Sequence, residues 1–341
     1  MSISRTWSIA GLSLAAVLAV AACSSGSATT APTNAPASDA PGGATAAPTA
    51  DASLAGEIVI DGSSTVYPVT EAVAEEFQKA NPGVRVSVAF SGTGGGFKKF
   101  CAGETDANDA SRPIKTKDTA DAKSEATMCQ EKGIDPVELQ VAYDGLTVVV
   151  NPQNTWVTCL TTDELKKIWD QGSTVATWAD IRPEWPAEPV KLFGPGADSG
   201  TFDYFTEVIN GEVDRSRSDY TQSEDDNALV QGVAGDRDAL GYFGFAYFEE
   251  NTDKLKAVQI DGGAGCVEPN RETIASNEYK PLSRPLFVYP SKQSLARPEV
   301  AAFFRYYLDN VNTYVDEVGY VTAPADILQK SRDALAAATA Q

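Results

Sequence analysis

The chain contains no histidine. That absence removes Ser-His-Asp and Cys-His nucleophilic catalysis, HExxH zinc hydrolysis and most general-base schemes at neutral pH. An enzyme would be left with carboxylate, lysine or tyrosine chemistry. Basic residues are scarce as well: 27 Lys and Arg stand against 47 Asp and Glu, a formal net charge of -20, and nowhere do the basic residues cluster. Nucleic acid and anionic lipid surfaces are therefore not expected partners, since both attract proteins through basic patches. There is no CxxC pair and no Cys/His spacing, so no structural metal is expected. Cofactor motifs are missing too: "SGTGGGF" lacks the GK[ST] ending of a phosphate loop, and "GPGADSG" fails the GxGxxG dinucleotide pattern.

The one strongly apolar run lies at the N-terminus, "MSISRTWSIAGLSLAAVLAVAACSSGS", and is short for a membrane span. One Arg, an apolar stretch and small residues before Cys23 predict a lipoprotein signal peptide over 1–22, with Val20-Ala21-Ala22-Cys23 as the lipobox. Cys23 is then the acylated N-terminus and the anchor to the outer face of the cell membrane, palmitate being the expected acyl type. The following residues, to about 55, are almost wholly Ala, Ser, Thr, Pro, Gly and Asn, which cannot build a core. As a flexible tether they reach about 30 Å. Four cysteines remain, Cys101, Cys129, Cys159 and Cys266, an even number in an exported chain, so two disulfides are expected, with three connectivities open.

From residue 56 onward, strand patterns alternate with helix patterns, which predicts α/β layers with mostly parallel sheets and, at this length, two lobes. Ile58 to Ile60 and Leu146 to Val150 read as buried strands. Pro68 suits the first turn of a helix whose apolar face is Val69, Val73 and Phe77. A second helix is expected from near Gly96. "TTDELKKIWDQG" reads as a capped helix, "ALGYFGFAYFEE" and "RPLFVYP" as strands, and "ARPEVAAFFRYYLDNVNTYVDEVG" as a helix pair.

Three loops share one design: "DGSSTVYP" (61–68), "SGTGGGF" (91–97) and "GADSGTF" (196–202). Each follows an expected strand and opens an expected helix, so each offers free backbone N-H groups, the positive end of a helix dipole and hydroxyl donors. Singly, any of them is a helix cap; together they outline an anion site. A fourth loop, "NDASRPI" (108–114), adds Ser111 and Arg112, and a guanidinium can hold an oxyanion with two parallel hydrogen bonds. The acidic surface does not forbid this, because charges beyond about 8 Å are screened while the site's own donors act at contact.

In order and spacing, "DGSSTVYPVTEA", "SGTGGGFKKF", "DASRPI", "DSGTFDYF", "SEDDNALVQGV" and "LGYFGFAY" resemble the phosphate-binding protein of the Pst-type ABC importer. The resemblance implies a two-lobed, periplasmic-binding-protein-like (type II) α/β fold, with a hinge and a ligand cleft between the lobes. It implies capture of inorganic phosphate, without catalysis or cofactor, and delivery to the permease subunits of an ABC importer by a monomer. Carried onto this chain, the family's contacts fall on Thr65 with Ser64 and Val66, on Thr93 with Ser91, and on Ser199, Gly200 and Thr201. Two departures stand out. Relatives carry an Arg shortly before the Ser-Gly-Thr, where this chain has Pro195, and an Asp in the fourth loop, where this chain has Arg112. Arg112 is thus the expected cation. The missing Asp accepts the ligand's proton in those relatives and so discriminates against sulfate; Asp144 is the first candidate to replace it, followed by Asp61 and Asp198. The expected division is 56–149 plus 281–341 for one lobe and 150–280 for the other. On it, a bridge between lobes would hinder closure, so the expected pairs are Cys101 with Cys129 and Cys159 with Cys266. The rival readings are a receptor of this fold for sulfate, molybdate or tungstate, a secreted phosphoesterase using a Ser nucleophile, and an adhesive lipoprotein without a small ligand.

Overall fold

The computed structural model describes residues 54–120, 122–197 and 199–340. The signal peptide, Cys23, nearly all of the tether and Asp198 lie outside the described residues.

The fold is built on a long strand, Leu139–Val150, whose residues are buried from Val141 to Val150. Its first half pairs antiparallel with Ser283–Pro290, ending at the Ser283 to Gly145 register; its second half pairs antiparallel with Ala239–Gly244, beginning at Leu146 to Gly244. One strand therefore serves two halves of a ten-stranded sheet and changes partner between Gly145 and Leu146. Beyond Ser283–Pro290 come Ala107–Ala110, Gly56–Gly62 and Val84–Val88, the last three mutually parallel. Beyond Ala239–Gly244 come Lys191–Gly194 and Thr221–Gln222, again parallel. The sheet is consequently mixed, not mostly parallel as the sequence predicts: the parallel expectation holds in each half, while the strands that cross between halves run antiparallel to their neighbours. A separate three-stranded sheet joins Cys159–Thr161, Gln259–Asp261 and Cys266–Val267.

On the first half, the helix Tyr67–Ala80 begins with Pro68 in its first turn and buries Val69, Val73 and Phe77, as the spacing predicts. Phe77 meets Phe303 of the helix Pro298–Val318 edge to face, with centroids 5.3 Å apart. Pro298–Val318 is a single 21-residue helix where a pair is expected, because Val311, Tyr314 and Val315 continue the buried face past the Asn-rich middle. A further helix, Ala325–Thr339, lies along the first half of the long strand, with the Ser331 hydroxyl donating to the Gln140 carbonyl.

On the second half, Trp169, Phe205 and Tyr242 form an aromatic nucleus, Phe205 stacked on Tyr242 at 3.9 Å and Trp169 edge-on to Tyr242 at 4.9 Å. Each ring buried in this way contributes on the order of 2 kcal/mol from area alone. Thr161 and Glu164 form a reciprocal capping box at the start of Thr162–Trp169. The "GFAYFEE" stretch leaves the sheet at Gly244 and becomes the helix Phe245–Glu249, so the expected strand is half its length.

Disulfides join Cys101 to Cys129, linking the helices Thr93–Ala102 and Glu125–Glu131, and Cys159 to Cys266, linking two strands of the small sheet. Among the described residues no helix is long and apolar enough to cross a membrane, and no group of three or more Cys, Asp or Glu side chains is arranged to hold a metal.

Candidate anion-binding site

Each of the three expected loops leads from a strand into a helix. Gly56–Gly62 ends at Gly62, whose φ of 145° and contact with the Asp109 backbone admit no side chain: a Cβ there would lie 2.1 Å from the Asp109 carbonyl oxygen. The chain then turns through Ser63, Ser64 and Thr65 into Tyr67–Ala80. Ser63 organises the turn, its hydroxyl accepting from the Thr65 N-H at 3.2 Å and its carbonyl from the Tyr67 N-H at 3.0 Å. No side chain caps this helix at Val66. The second loop reaches Thr93–Ala102 through Gly92, in the left-handed region at φ 74°, again without a side-chain cap. The third enters Gly200–Phe205 with Ser199 as N-cap, its hydroxyl accepting from the Thr201 N-H at 3.2 Å.

The loops converge on one cavity of about 550 Å³. Ser64, Thr65, Thr93 and Gly200 are in its wall, with Ser111 and Arg112 from the fourth loop. The first and third loops approach closely, since a Cβ on Gly200 would lie 3.5 Å from Thr65 Oγ1 and 3.8 Å from Ser64 Oγ. The second and fourth are joined by Thr93, whose Oγ1 accepts from the Ser111 N-H at 3.1 Å and lies 3.1 Å from Ser111 Oγ. Such a ring of hydroxyls and helix N-termini favours an anion.

Arg112, the cation expected from the sequence, shares the cavity wall with Lys115 and Arg284. Arg284 is 9% exposed, donates from Nε to Asp144 Oδ2 at 3.0 Å and from Nη2 to Thr65 Oγ1 at 2.7 Å, and faces the Tyr204 ring. Arg112 stands in the wall but is clamped by Glu125, which takes Nη1 at 2.9 Å and Nη2 at 2.7 Å and also accepts the Lys115 N-H. The sequence offered little to single out Arg284. It stands at the head of the apolar strand Ser283–Pro290, outside every Gly/Ser/Thr loop.

Other expected contacts lie outside the wall. Val66 has a fully buried side chain in the core, so only its backbone could serve a ligand. Ser91 donates to Asp61 Oδ1 at 2.6 Å, Ser199 caps its helix, and Thr201 follows that cap. Asp144 sits behind Arg284 as its partner; burial raises its carboxyl pKa against the pull of the guanidinium. Asp61 is tied to Lys99, Ser91 and the Gly62 N-H; burial pushes its carboxyl up, but these bonds together hold it below the usual range. The carboxylates that do line the cavity are Asp203 and Glu207. Burial raises the Asp203 pKa, and the nearby charge of Asp214 adds to the rise while Arg284 opposes it.

The PBP superfamily domain matches residues 44–311. Protein SphX from Synechocystis is 48% identical over 272 residues, covering 79% of this chain and 79% of its own. The phosphate-binding protein PstS of Staphylococcus saprophyticus is 38% identical over 271 residues, covering 79% of this chain and 81% of its own. A crystal structure described as a possible phosphate binding protein, from Planctomyces limnophilus, superposes with a TM-score of 0.79 at 54% identity, over 84% of this chain and 99% of that one.

Proposed function

Because the chain belongs to the PBP superfamily, and within it to the phosphate-binding proteins of Pst-type importers, we propose that it is an extracytoplasmic receptor which captures inorganic phosphate and delivers it to an ABC permease. The observation that carries this reading is the meeting of Thr65, Thr93, Gly200 and Arg284 around one cavity, from chain segments far apart in sequence.

Phosphate in the cleft exchanges its hydration shell for hydroxyl, amide and guanidinium donors. Hydrogen bonds to a charged group are worth about 1.5–3 kcal/mol each, enough to offset desolvation when several act together. The lobes comprise 56–149 plus 281–341 and 150–280; the change of strand partner between Gly145 and Leu146, a few residues before the first boundary, and the entry of the return strand at Ser283 support a division into two lobes near these positions. Closure about these crossings excludes water, and the closed form docks on the permease. The receptor works as a monomer, tethered to the outer face of the membrane through acylated Cys23, and turns nothing over.

Of the expected binding residues, Ser64, Thr65, Thr93, Arg112 and Gly200 face the ligand, joined by Arg284, while Val66 contributes its amide. Ser91, Ser199 and Thr201 shape the loops. Asp203 takes the proton-accepting role expected of Asp144, because it lines the cavity and Asp144 is engaged by Arg284. A carboxylate in the wall costs binding energy to any anion without a proton to donate, which favours hydrogen phosphate over sulfate.

The test is isothermal titration of the phosphate-stripped chain with phosphate and with sulfate at pH 5 and pH 8. Tight phosphate binding with sulfate rejected at both pH values is expected. Silence toward phosphate overturns the reading, and sulfate binding of equal strength would make it a receptor for tetrahedral oxyanions in general.

A further inference from the structure

Tyr204 is buried and belongs to the same short helix as Gly200. Its ring lies against the Arg284 guanidinium, with Cζ 3.6 Å from the ring centroid, and its hydroxyl donates to the Pro281 carbonyl at 2.6 Å. Both contacts fall on one stretch of chain, the entry to the strand Ser283–Pro290. The other contacts of Arg284 come from elsewhere: Asp144 on the long strand holds Nε, and Thr65 in the first loop accepts from Nη2. Among the described residues Nη1 has no hydrogen-bond partner, and Arg284 is part of the cavity wall.

A guanidinium offers its donors in the plane and its faces to stacking, so an aromatic ring can fix its orientation without consuming a single N-H. Thr65 and Asp144 each take a donor, whereas Tyr204 takes none. We propose that Tyr204 is the positioning residue for Arg284: its face sets the plane of the guanidinium so that the remaining N-H edge points at the bound anion. The inference rests on the phosphate reading above. It goes beyond that reading by placing part of the affinity in a side chain that offers the ligand no hydrogen bond.

Tyr204→Leu removes the ring and Tyr204→Phe keeps it while losing the hydroxyl. Titration of the intact, phosphate-stripped chain is expected to show about tenfold weaker phosphate binding for the Leu variant and binding within about threefold of the parent for the Phe variant. The spectroscopic signature is the Arg284 Nε-H resonance, assigned by its loss in Arg284→Lys. It should be shifted upfield by the ring in the parent and in Tyr204→Phe, with and without phosphate, and unshifted in Tyr204→Leu. Parent-like affinity in Tyr204→Leu, a Phe variant as weak as the Leu variant, or a parent resonance without the ring shift overturns the proposal. If Tyr204→Leu fails to fold, the Phe affinity and the parent resonance still decide it. A parent chain that ignores phosphate fails at the earlier step, so the two failures are distinguishable.

Discussion

Arg284 and Asp144 are register partners on antiparallel strands, with Nε 3.0 Å from Oδ2, and both side chains are almost fully buried. Removing one member of such a pair leaves an uncompensated charge away from water, which costs about 3–5 kcal/mol. Replacing both removes that cost. Arg284→Met should therefore destabilise the chain strongly at pH 7, and the double variant Arg284→Met with Asp144→Asn should recover much of the loss in urea unfolding. Phosphate affinity should behave differently: both variants lose the guanidinium and should bind about a hundredfold more weakly. Recovery of binding in the double variant would show that Arg284 serves the fold rather than the ligand.

Two glycines beside the site are expected to respond in opposite ways. A Cβ on Gly96 would lie 2.0 Å from Asn108 Oδ1 and 2.5 Å from the Gly62 Cα, so Gly96→Ala forces the helix Thr93–Ala102 off its strand. Overpacking of this kind costs about 1–3 kcal/mol, read as a lower unfolding midpoint. At Gly200 the added methyl would meet Thr65 and Ser64 at 3.5 Å and 3.8 Å, ordinary contact distances. Gly200→Ala should fold as the parent does and lose about tenfold or more in phosphate affinity, because the methyl fills the gap between two donor loops. An unfolding midpoint lowered in Gly200→Ala with affinity intact would remove Gly200 from the site.

These residues also show what was legible in the sequence. The glycines and hydroxyls of the first three loops stood out because the chain must turn sharply and approach closely there, and such places select small residues locally. Ser64, Thr65, Thr93 and Gly200, all legible in this way, line the cavity. The place of Arg284 in the wall is not legible, because its partner Thr65 lies 219 positions away and nothing in "PLSRPLFVYP" distinguishes a cavity arginine from a strand-end charge. The burial of Asp144 can be read from the apolar run around it, but the guanidinium that it accepts from cannot. The same limit explains the mixed sheet, since the direction of a crossing strand depends on its distant partners. Helix Pro298–Val318 runs unbroken through Asp309, Asn310 and Asn312, all poor helix formers, because a weak local preference yields to the buried face.

Asp109 carries the prediction for pH. It is fully buried in the strand Ala107–Ala110, and among the described residues neither carboxyl oxygen has a partner within strict hydrogen-bond geometry; burial pushes its pKa to about 8, with the nearby Thr70 hydroxyl opposing the rise and the charge of Asp61 adding to it. In the unfolded chain an aspartate titrates near 3.9. Below that value both states hold the proton and burial carries no ionisation penalty. Between about 4 and about 8 the folded chain keeps a proton that the unfolded chain has shed, so stability falls as pH rises, by up to about 1.4 kcal/mol per pH unit from this group. Above about 8 the penalty is constant. Asp109→Asn has no such slope, so its stability relative to the parent should rise by roughly 3–4 kcal/mol between pH 5 and pH 8 in urea unfolding. Asp109 is absent from the cavity wall, so phosphate affinity at pH 7 should be unchanged. A stability difference that stays flat across this range would mean that Asp109 is ionised in the folded chain and paired in a way its buried strand position does not reveal.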